Sequence, residues 1–150
     1  MSNLATQKRY QVKALQQRQF RAPVKIMLPS DQVSDKGEAQ YDALNVVVLF
    51  RSVPADEARA NLNRIQDLRD KEATMAEVLE ESVRQTQSYV IGIEKHPEHE
   101  WPFVTDSGAD AQISTEDIKQ LLQVREIRDA IETVYSAARS GELLTKNSKT

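Results

Sequence analysis

The segment LNVVVLF, residues 44–50, decides the fold class, because branched and aromatic side chains typical of β-strands fill most of it. A second extended segment, VKIML at residues 24–28, precedes it and ends at Pro29. The polar residues 30–40 between the two segments contain Gly37, which is typical of a turn. We therefore predict two antiparallel strands joined by a long loop. Because a two-stranded hairpin is marginally stable in water, its apolar face must pack on other elements.

Two segments with helical periodicity follow the second strand. The first begins at Pro54 and carries apolar residues at helical spacing over residues 54–70. The second begins with the capping-box pattern of Thr74 and Glu77, in which the side chain of each residue can bind the backbone N–H of the other. Its apolar stripe predicts a helix that runs to about residue 92.

The last third of the chain predicts a divided helix. Ser114 is typical of a helix cap, and an apolar stripe follows it. Leu122 and Ile127 are out of phase with one continuous helix. A kink or turn near residues 123–125 should therefore separate a short helix from a longer one, which ends at Gly141.

These elements predict an α+β fold, a mainly α-helical single domain in which an N-terminal antiparallel β-hairpin packs on four or so helices. A chain of 150 residues is long enough for one such domain with its own core. We expect the domain over residues 21–140, a basic N-terminal arm over residues 1–20 and a flexible C-terminal tail over residues 141–150.

The arm is basic although the chain as a whole has a net charge of −3. Six basic residues precede Asp31, the first acidic one: Lys8, Arg9, Lys13, Arg18, Arg21 and Lys25. One candidate function is therefore a small nucleic-acid-associated or regulatory module that uses this arm. Only Tyr10 and Phe20 are interleaved with these charges, whereas binders of single strands rely on aromatic stacking. We favour a solvated arm over nucleic-acid binding.

The segment EKHPEHEW, residues 94–101, suggests a metal-dependent enzyme as a further function class. His96 and His99 would share one face of a helix, but Pro97 between them disfavours helical backbone at His96. The chain contains no further histidine and no cysteine that could supply a third ligand. We therefore expect a polar loop without a metal, and we expect neither a cofactor nor catalytic residues anywhere in the chain.

Composition also bears on the compartment. The absence of cysteine excludes disulfides and suits a reducing cytoplasm. No apolar run approaches the roughly 20 residues that cross a bilayer, and the N-terminal segment lacks the apolar core of a signal peptide. We expect a soluble protein that is not exported and does not bind membranes.

Over about residues 20–147, the order of four motifs resembles the tail assembly chaperones of long-tailed bacteriophages. The motifs are FRAPVKIMLP, VVVLFRSVPADEA, WPFVTDSG and ISTEDIKQLL. The resemblance implies a non-enzymatic protein that binds the tape measure protein and helps to recruit tail tube subunits. It also implies a protein that acts in the cytoplasm of the bacterial host and is absent from the mature virion.

A chaperone for a long helical partner would offer apolar surface that its own core leaves free. We predict this surface on the last helix and the second strand, at Ile127, Ile131, Val134, Tyr135, Val46 and Val48. The alternative is that these residues are simply core. The same apolar strand and helix also predict a homo-oligomer, because exposed strand edges and apolar patches attract partners.

Overall fold

A three-stranded antiparallel sheet lies at the centre of the computed structural model, which describes residues 4–141. The strands β1 (Gln19–Val33), β2 (Ala39–Arg51) and β3 (Val90–Lys95) lie side by side in chain order. A short helix, α1 (Val12–Leu15), precedes the sheet. Two helices, α2 (Ala55–Asp70) and α3 (Met75–Tyr89), connect β2 to β3, and α4 (Thr115–Leu121) and α5 (Arg125–Ser140) follow.

The predicted architecture, a mainly helical domain with a two-stranded hairpin on four or so helices, is wrong, although the fold is α+β. The error lies at the end of α3, which stops at Tyr89 rather than near residue 92. The next residues, VIGIEK, form β3 against β2. Branched side chains and a glycine are weak helix formers, and the backbone hydrogen bonds that β2 offers here favour a strand.

The predicted long loop between the first two strands is instead a tight turn. The backbone N–H of Gly37 donates to the carbonyl oxygen of Ser34 at 2.8 Å, and Gly37 has a φ of 77°, which glycine adopts without strain. Both strands extend to this turn and pair as far as Val33 and Ala39. The outer half of this β-ribbon contains no buried residue and projects beyond the core.

The two faces of the sheet differ in burial. Alternate residues of β1 and β2 face the helices and form the inner face: Ala22, Val24, Ile26, Val46, Val48 and Phe50, all buried. Their neighbours form the outer face: Arg21, Pro23, Lys25, Met27, Pro29, Tyr41, Ala43, Asn45, Val47, Leu49 and, on β3, Glu94. None of these outer-face residues is buried. The helices of the described chain therefore form one layer, on the inner face only.

Aromatic side chains join α5 to the inner face. The ring of Tyr135 stacks on that of Tyr89 with a centroid distance of 3.9 Å and lies 5.3 Å from that of Phe50. The Tyr135 hydroxyl accepts a hydrogen bond from the backbone N–H of Val53 at 3.0 Å and donates to the carbonyl oxygen of Arg51 at 3.2 Å. Both the ring and the hydroxyl of Tyr135 thus hold α5 on the sheet.

Several predicted helix ends are confirmed. The Thr74 hydroxyl accepts a hydrogen bond from the backbone N–H of Glu77 at 3.2 Å, and Ser114 forms a complete capping box with Asp117. A turn between Leu121 and Arg125 separates α4 from α5. At the end of α5, Gly141 adopts a left-handed conformation with a φ of 82°. The predicted tail after Gly141 lies outside the described residues.

The helices α2 and α3 form a hairpin that is only partly packed. No residue of α2 is buried, and α3 buries only Val83 and Thr86, near its C-terminal end. Met75 and Leu79 continue the same face of α3 toward its N-terminus, because residues four apart lie one above the other on a helix. Met75 is 84% exposed, so this apolar stripe extends beyond the core.

Candidate functional site

Five of the six predicted partner-binding residues lie in the core. Val46 and Val48 belong to the inner face of the sheet, and Val48 is 0% exposed. The other three, Ile127, Ile131 and Tyr135, are the side chains with which α5 covers that face. The sixth, Val134, is partly buried against the same core. In this conformation the five buried side chains offer no surface to a partner, and their role in binding stays a prediction.

The uncovered apolar surface is the outer face of the sheet. Val47 pairs with Pro23, and Met27 pairs with Ala43. At the outer end of the face, Pro29 pairs with Tyr41. Met27 is 45% and Tyr41 57% exposed, whereas apolar side chains of this size are more often buried. With a rise of about 3.3 Å per residue, the face extends about 27 Å from Leu49 to Tyr41.

Sequence reasoning missed Val47 and Leu49 because every side chain in the stretch VVVLF is apolar, so the stretch itself does not show which face is buried. The signal was in β1, where Lys25 alternates with the apolar Val24 and Ile26. Residues that pair across an antiparallel sheet lie on the same face, so the alternation of β1 indicates which residues of the paired strand β2 lie on each face.

An ion pair lies across the outer face at the end where β3 widens the sheet. The Arg21 guanidinium donates from Nε to Oε1 of Glu94 at 2.8 Å and from Nη2 to Oε2 at 3.3 Å. The hydrogen bonds and the charge of the Glu94 carboxylate raise the pKa of Arg21 above its ordinary value. Arg21 lies on β1 and Glu94 on β3, so the pair crosses β2 between Leu49 and Val47. It therefore marks one boundary of the apolar surface.

A shallow cavity of about 460 Å³, widely open to solvent, lies beside this ion pair. It lies between the sheet and the turn that follows β3, and its lining is mainly apolar: Arg21, Ala22, Pro23, Val47, His96, Pro97 and Glu98. Two of its walls are proline rings, which lose no side-chain rotamer freedom when they are covered. The cavity can accept a large apolar side chain from a partner.

Lys25 lies in the middle of the outer face, opposite Asn45. Within the described chain its ammonium group makes no hydrogen bond and no ion pair. Since Arg21 and Glu94 neutralise each other, Lys25 gives the outer face a single positive charge on a chain with a net charge of −3.

His96, which lines the cavity, interacts with His99 and with the backbone. The rings of His96 and His99 meet edge to face with centroids 4.7 Å apart, and the backbone N–H of Glu98 donates to Nδ1 of His96 at 3.1 Å. Among residues 4–141, no group of three His, Asp or Glu side chains is arranged to hold a metal ion.

The strongest electrostatic perturbations lie away from the outer face. Hydrogen bonding to Arg84 lowers the pKa of Glu81 to about 2, and hydrogen bonding to Arg51 lowers that of Glu57. Burial raises the pKa of Tyr89 to about 12. Glu81 pairs with a residue of its own helix, Glu57 pairs with Arg51 at the end of β2, and Tyr89 packs against the core. These arrangements are typical of structural ion pairs and packing.

The N-terminal arm is exposed from Leu4 to Arg18. The Arg18 guanidinium lies 5.6 Å from the ring centroid of Tyr10, within the range of a cation–π contact. Lys8, Arg9 and Lys13 form no ion pair in the part of the chain that the structure covers. The arm therefore carries free positive charge.

No helix within residues 4–141 combines the length and the hydropathy needed to cross a membrane. Comparison of the chain with protein-family models, with curated proteins and with solved structures gives no match.

Proposed function

We propose that the chain is a non-enzymatic tail assembly chaperone of a long-tailed bacteriophage, which binds the tape measure protein and helps to recruit tail tube subunits. It acts in the cytoplasm of the host bacterium and is not part of the mature virion. The resemblance of its four motifs to those of such chaperones supports this proposal. Two of the motifs fall at element boundaries of the fold, since SVPADEA leads into α2 and IST leads into α4.

The observation that carries the proposal is the outer face of the sheet. In α+β domains the helices usually cover one face of an antiparallel sheet, and the solvated face is usually polar. Here the face that the helices of the described chain leave uncovered carries apolar side chains such as Met27, Val47 and Tyr41. The bare face is suited to binding a helical partner, because a helix packs on a sheet through a flat apolar surface. An uncovered apolar surface of this kind is typical of a site of protein association.

The exposed stripe of α3 supports self-association as part of this function. Met75 and Leu79 lie on the apolar side of α3, beyond the point where the core covers it. A second copy that packs on these residues would leave the outer face free for the tape measure protein. A homo-oligomer could thus bind along an extended helical partner at repeated positions.

Co-expression with a tape measure protein tests the function. We expect the tape measure protein to be soluble and to co-purify with the chain, and to aggregate when it is expressed alone. A tape measure protein that neither binds nor gains solubility would contradict the proposal. Light scattering should show an oligomer that the double variant Met75→Glu, Leu79→Lys converts to a monomer.

The basic arm supports the alternative, a nucleic-acid-associated module, because Lys8, Arg9 and Lys13 are exposed and unpaired within the described residues. Binding to DNA or RNA through such an arm would weaken steeply with added salt. Salt-dependent binding that is lost on deletion of residues 1–17, together with no binding of the tape measure protein, would favour this alternative.

A further inference from the structure

We propose that the outer face binds a single amphipathic α-helix of a partner protein, which places one large apolar side chain in the cavity beside Pro97 and a carboxylate against Lys25. This deepens the proposed function and rests on it for the identity of the partner, a segment of the tape measure protein. The binding site itself follows from the shape and the charge of the face.

The length of the face matches one helix. Beyond the ion pair, the apolar surface runs about 20 Å along the ribbon from Val47 to Tyr41, which is the length of about 13 residues of α-helix. The surface is narrow, because β1 and β2 lie about 4.8 Å apart and only β3 widens the sheet at one end. A single helix therefore covers it, and this adds a third layer to the two-layer domain.

The cavity fixes the position of this helix. It lies at the end where β3 widens the sheet, between Pro23, Val47 and Pro97. A leucine or phenylalanine of the partner that enters the cavity would leave the rest of its apolar stripe to lie along Met27 and Tyr41. The ion pair of Arg21 and Glu94 at the rim stops the helix from sliding further in this direction.

Lys25 selects the charge of the partner. It lies midway between the two ends of the face and makes no ion pair in the described chain. An acidic residue beside the apolar stripe of the helix would pair with it, whereas a basic residue at that position would be repelled.

The position of Lys25 also disfavours a second copy of the chain as the occupant. If two copies packed face to face about a twofold axis at the centre of the face, the two Lys25 side chains would lie against each other. Like charges in such direct opposition destabilise an interface. The outer face is therefore suited to a different protein, and self-association belongs to the α3 stripe.

Two synthetic peptides test this inference with the full-length chain. Both are amphipathic helices of about 18 residues with a leucine stripe, and they differ only in that glutamate flanks the stripe in one and lysine in the other. We expect the wild-type chain to bind the glutamate peptide about five- to tenfold more tightly. Lys25→Glu should reverse this preference, and Val47→Asp should abolish binding of both peptides.

Matched variants serve as controls. Lys36→Glu makes the same charge change in the turn of the ribbon, and Val104→Asp places the same carboxylate at an exposed valine outside the face. Neither variant should change the affinity of the chain for either peptide. The inference is overturned if both peptides fail to bind, if they bind equally well, or if Val47→Asp binds like the wild type. A dimer that dissociates in the Val47→Asp variant would also overturn it, because a second copy would then occupy the face.

The outcomes separate the binding site from the proposed function. A tape measure protein that co-purifies equally well with the wild type and with Val47→Asp would leave the function intact and refute this site. Peptides that behave as expected, together with a tape measure protein that does not bind, would support the site and refute the function.

Discussion

Arg21 and Glu94 lie on opposite edge strands of the sheet and form a two-bonded ion pair across the middle strand. Both side chains are well exposed, so the pair contributes little to folding stability. Its effect is local, because it lies over β2 and partly shields Leu49 and Val47 from water. The same pair divides the sheet into a polar end and an apolar surface that is free for binding.

Two neighbouring valines test which face of the sheet is buried. We expect Val47→Asp to cost far less stability than Val48→Asp, since Val47 lies on the outer face, although its new carboxylate lies opposite Glu94. Val48→Asp should prevent folding, because it buries an unpaired carboxylate at a residue that is 0% exposed. Thermal unfolding followed by circular dichroism distinguishes the two, and equal losses of stability would contradict the assignment of faces.

Removal of the Tyr135 hydroxyl should destabilise the domain. In Tyr135→Phe the buried backbone N–H of Val53 loses its hydrogen-bond acceptor. We expect a loss of about 1–3 kcal/mol in the free energy of unfolding, measured with urea. Tyr41→Phe removes an exposed hydroxyl and serves as the control, with an expected change below about 0.5 kcal/mol. Similar values for both variants would show that the Tyr135 hydrogen bonds contribute nothing.

The ion pair of Glu81 and Arg84 should make stability depend on acid pH. Hydrogen bonding to Arg84 lowers the pKa of Glu81 from 4.5 to about 2 in the folded state. The stabilisation is therefore present above pH 4.5 and is lost as the pH falls toward 2. Because solvent screens the partly exposed pair, we expect Glu81→Gln to cost about 1 kcal/mol at neutral pH. If the difference in the free energy of unfolding between the wild type and Glu81→Gln does not become smaller in acid, this would be evidence against the ion pair.

Two glycines with different backbone conformations form a matched pair. Gly141 has a φ of 82°, so Gly141→Ala should cost about 1 kcal/mol through backbone strain. Gly92 lies in β3 without a positive φ, and an added methyl group meets no atom within 4 Å. Gly92→Ala should therefore be neutral or slightly stabilising. Chemical denaturation of both variants provides the measurement, and the reverse order would be unexpected.

The boundary of the N-terminal arm can be located by deletion. β1 begins at Gln19, and the ring centroid of Phe20 lies 5.3 Å from that of Phe50, so the folded region begins before the predicted boundary at residue 21. Deletion of residues 1–17 should leave the melting temperature within a few degrees. Deletion of residues 1–20 should lower it further, because it removes an aromatic contact of the core. Equal melting temperatures would show that Phe20 is dispensable.

The sequence predicted the helices better than the sheet. Helix ends depend on contacts within a few residues of the chain. The caps at Thr74 and Ser114 and the glycine at residue 141 could therefore be recognised from the sequence alone. β3 could not be predicted in this way, because its residues form a strand only when the edge of β2 is available to pair with them. The turn at Gly37 was recognised, but the polar strands around it resemble a loop in sequence.

The candidate site was less predictable than the fold. The strand VVVLF and the α5 stripe were chosen because they are the most apolar segments, and such segments are usually the ones that a domain buries. The outer face combines Pro23, Lys25, Met27 and Val47, which are unremarkable in sequence. They form one surface only through the register of two strands that are distant in the chain.

The position of α5 at the end of the described chain has a consequence for synthesis on the ribosome. The β-ribbon, α2 and α3 leave the ribosome first, while Tyr135 and the other side chains that cover the inner face are still to be made. During this interval the inner face lacks the cover that α5 provides, and at about 5–20 residues per second the interval lasts seconds. A growing chain of this protein thus exposes apolar sheet surface that the finished chain buries, and in that period it is itself in need of protection.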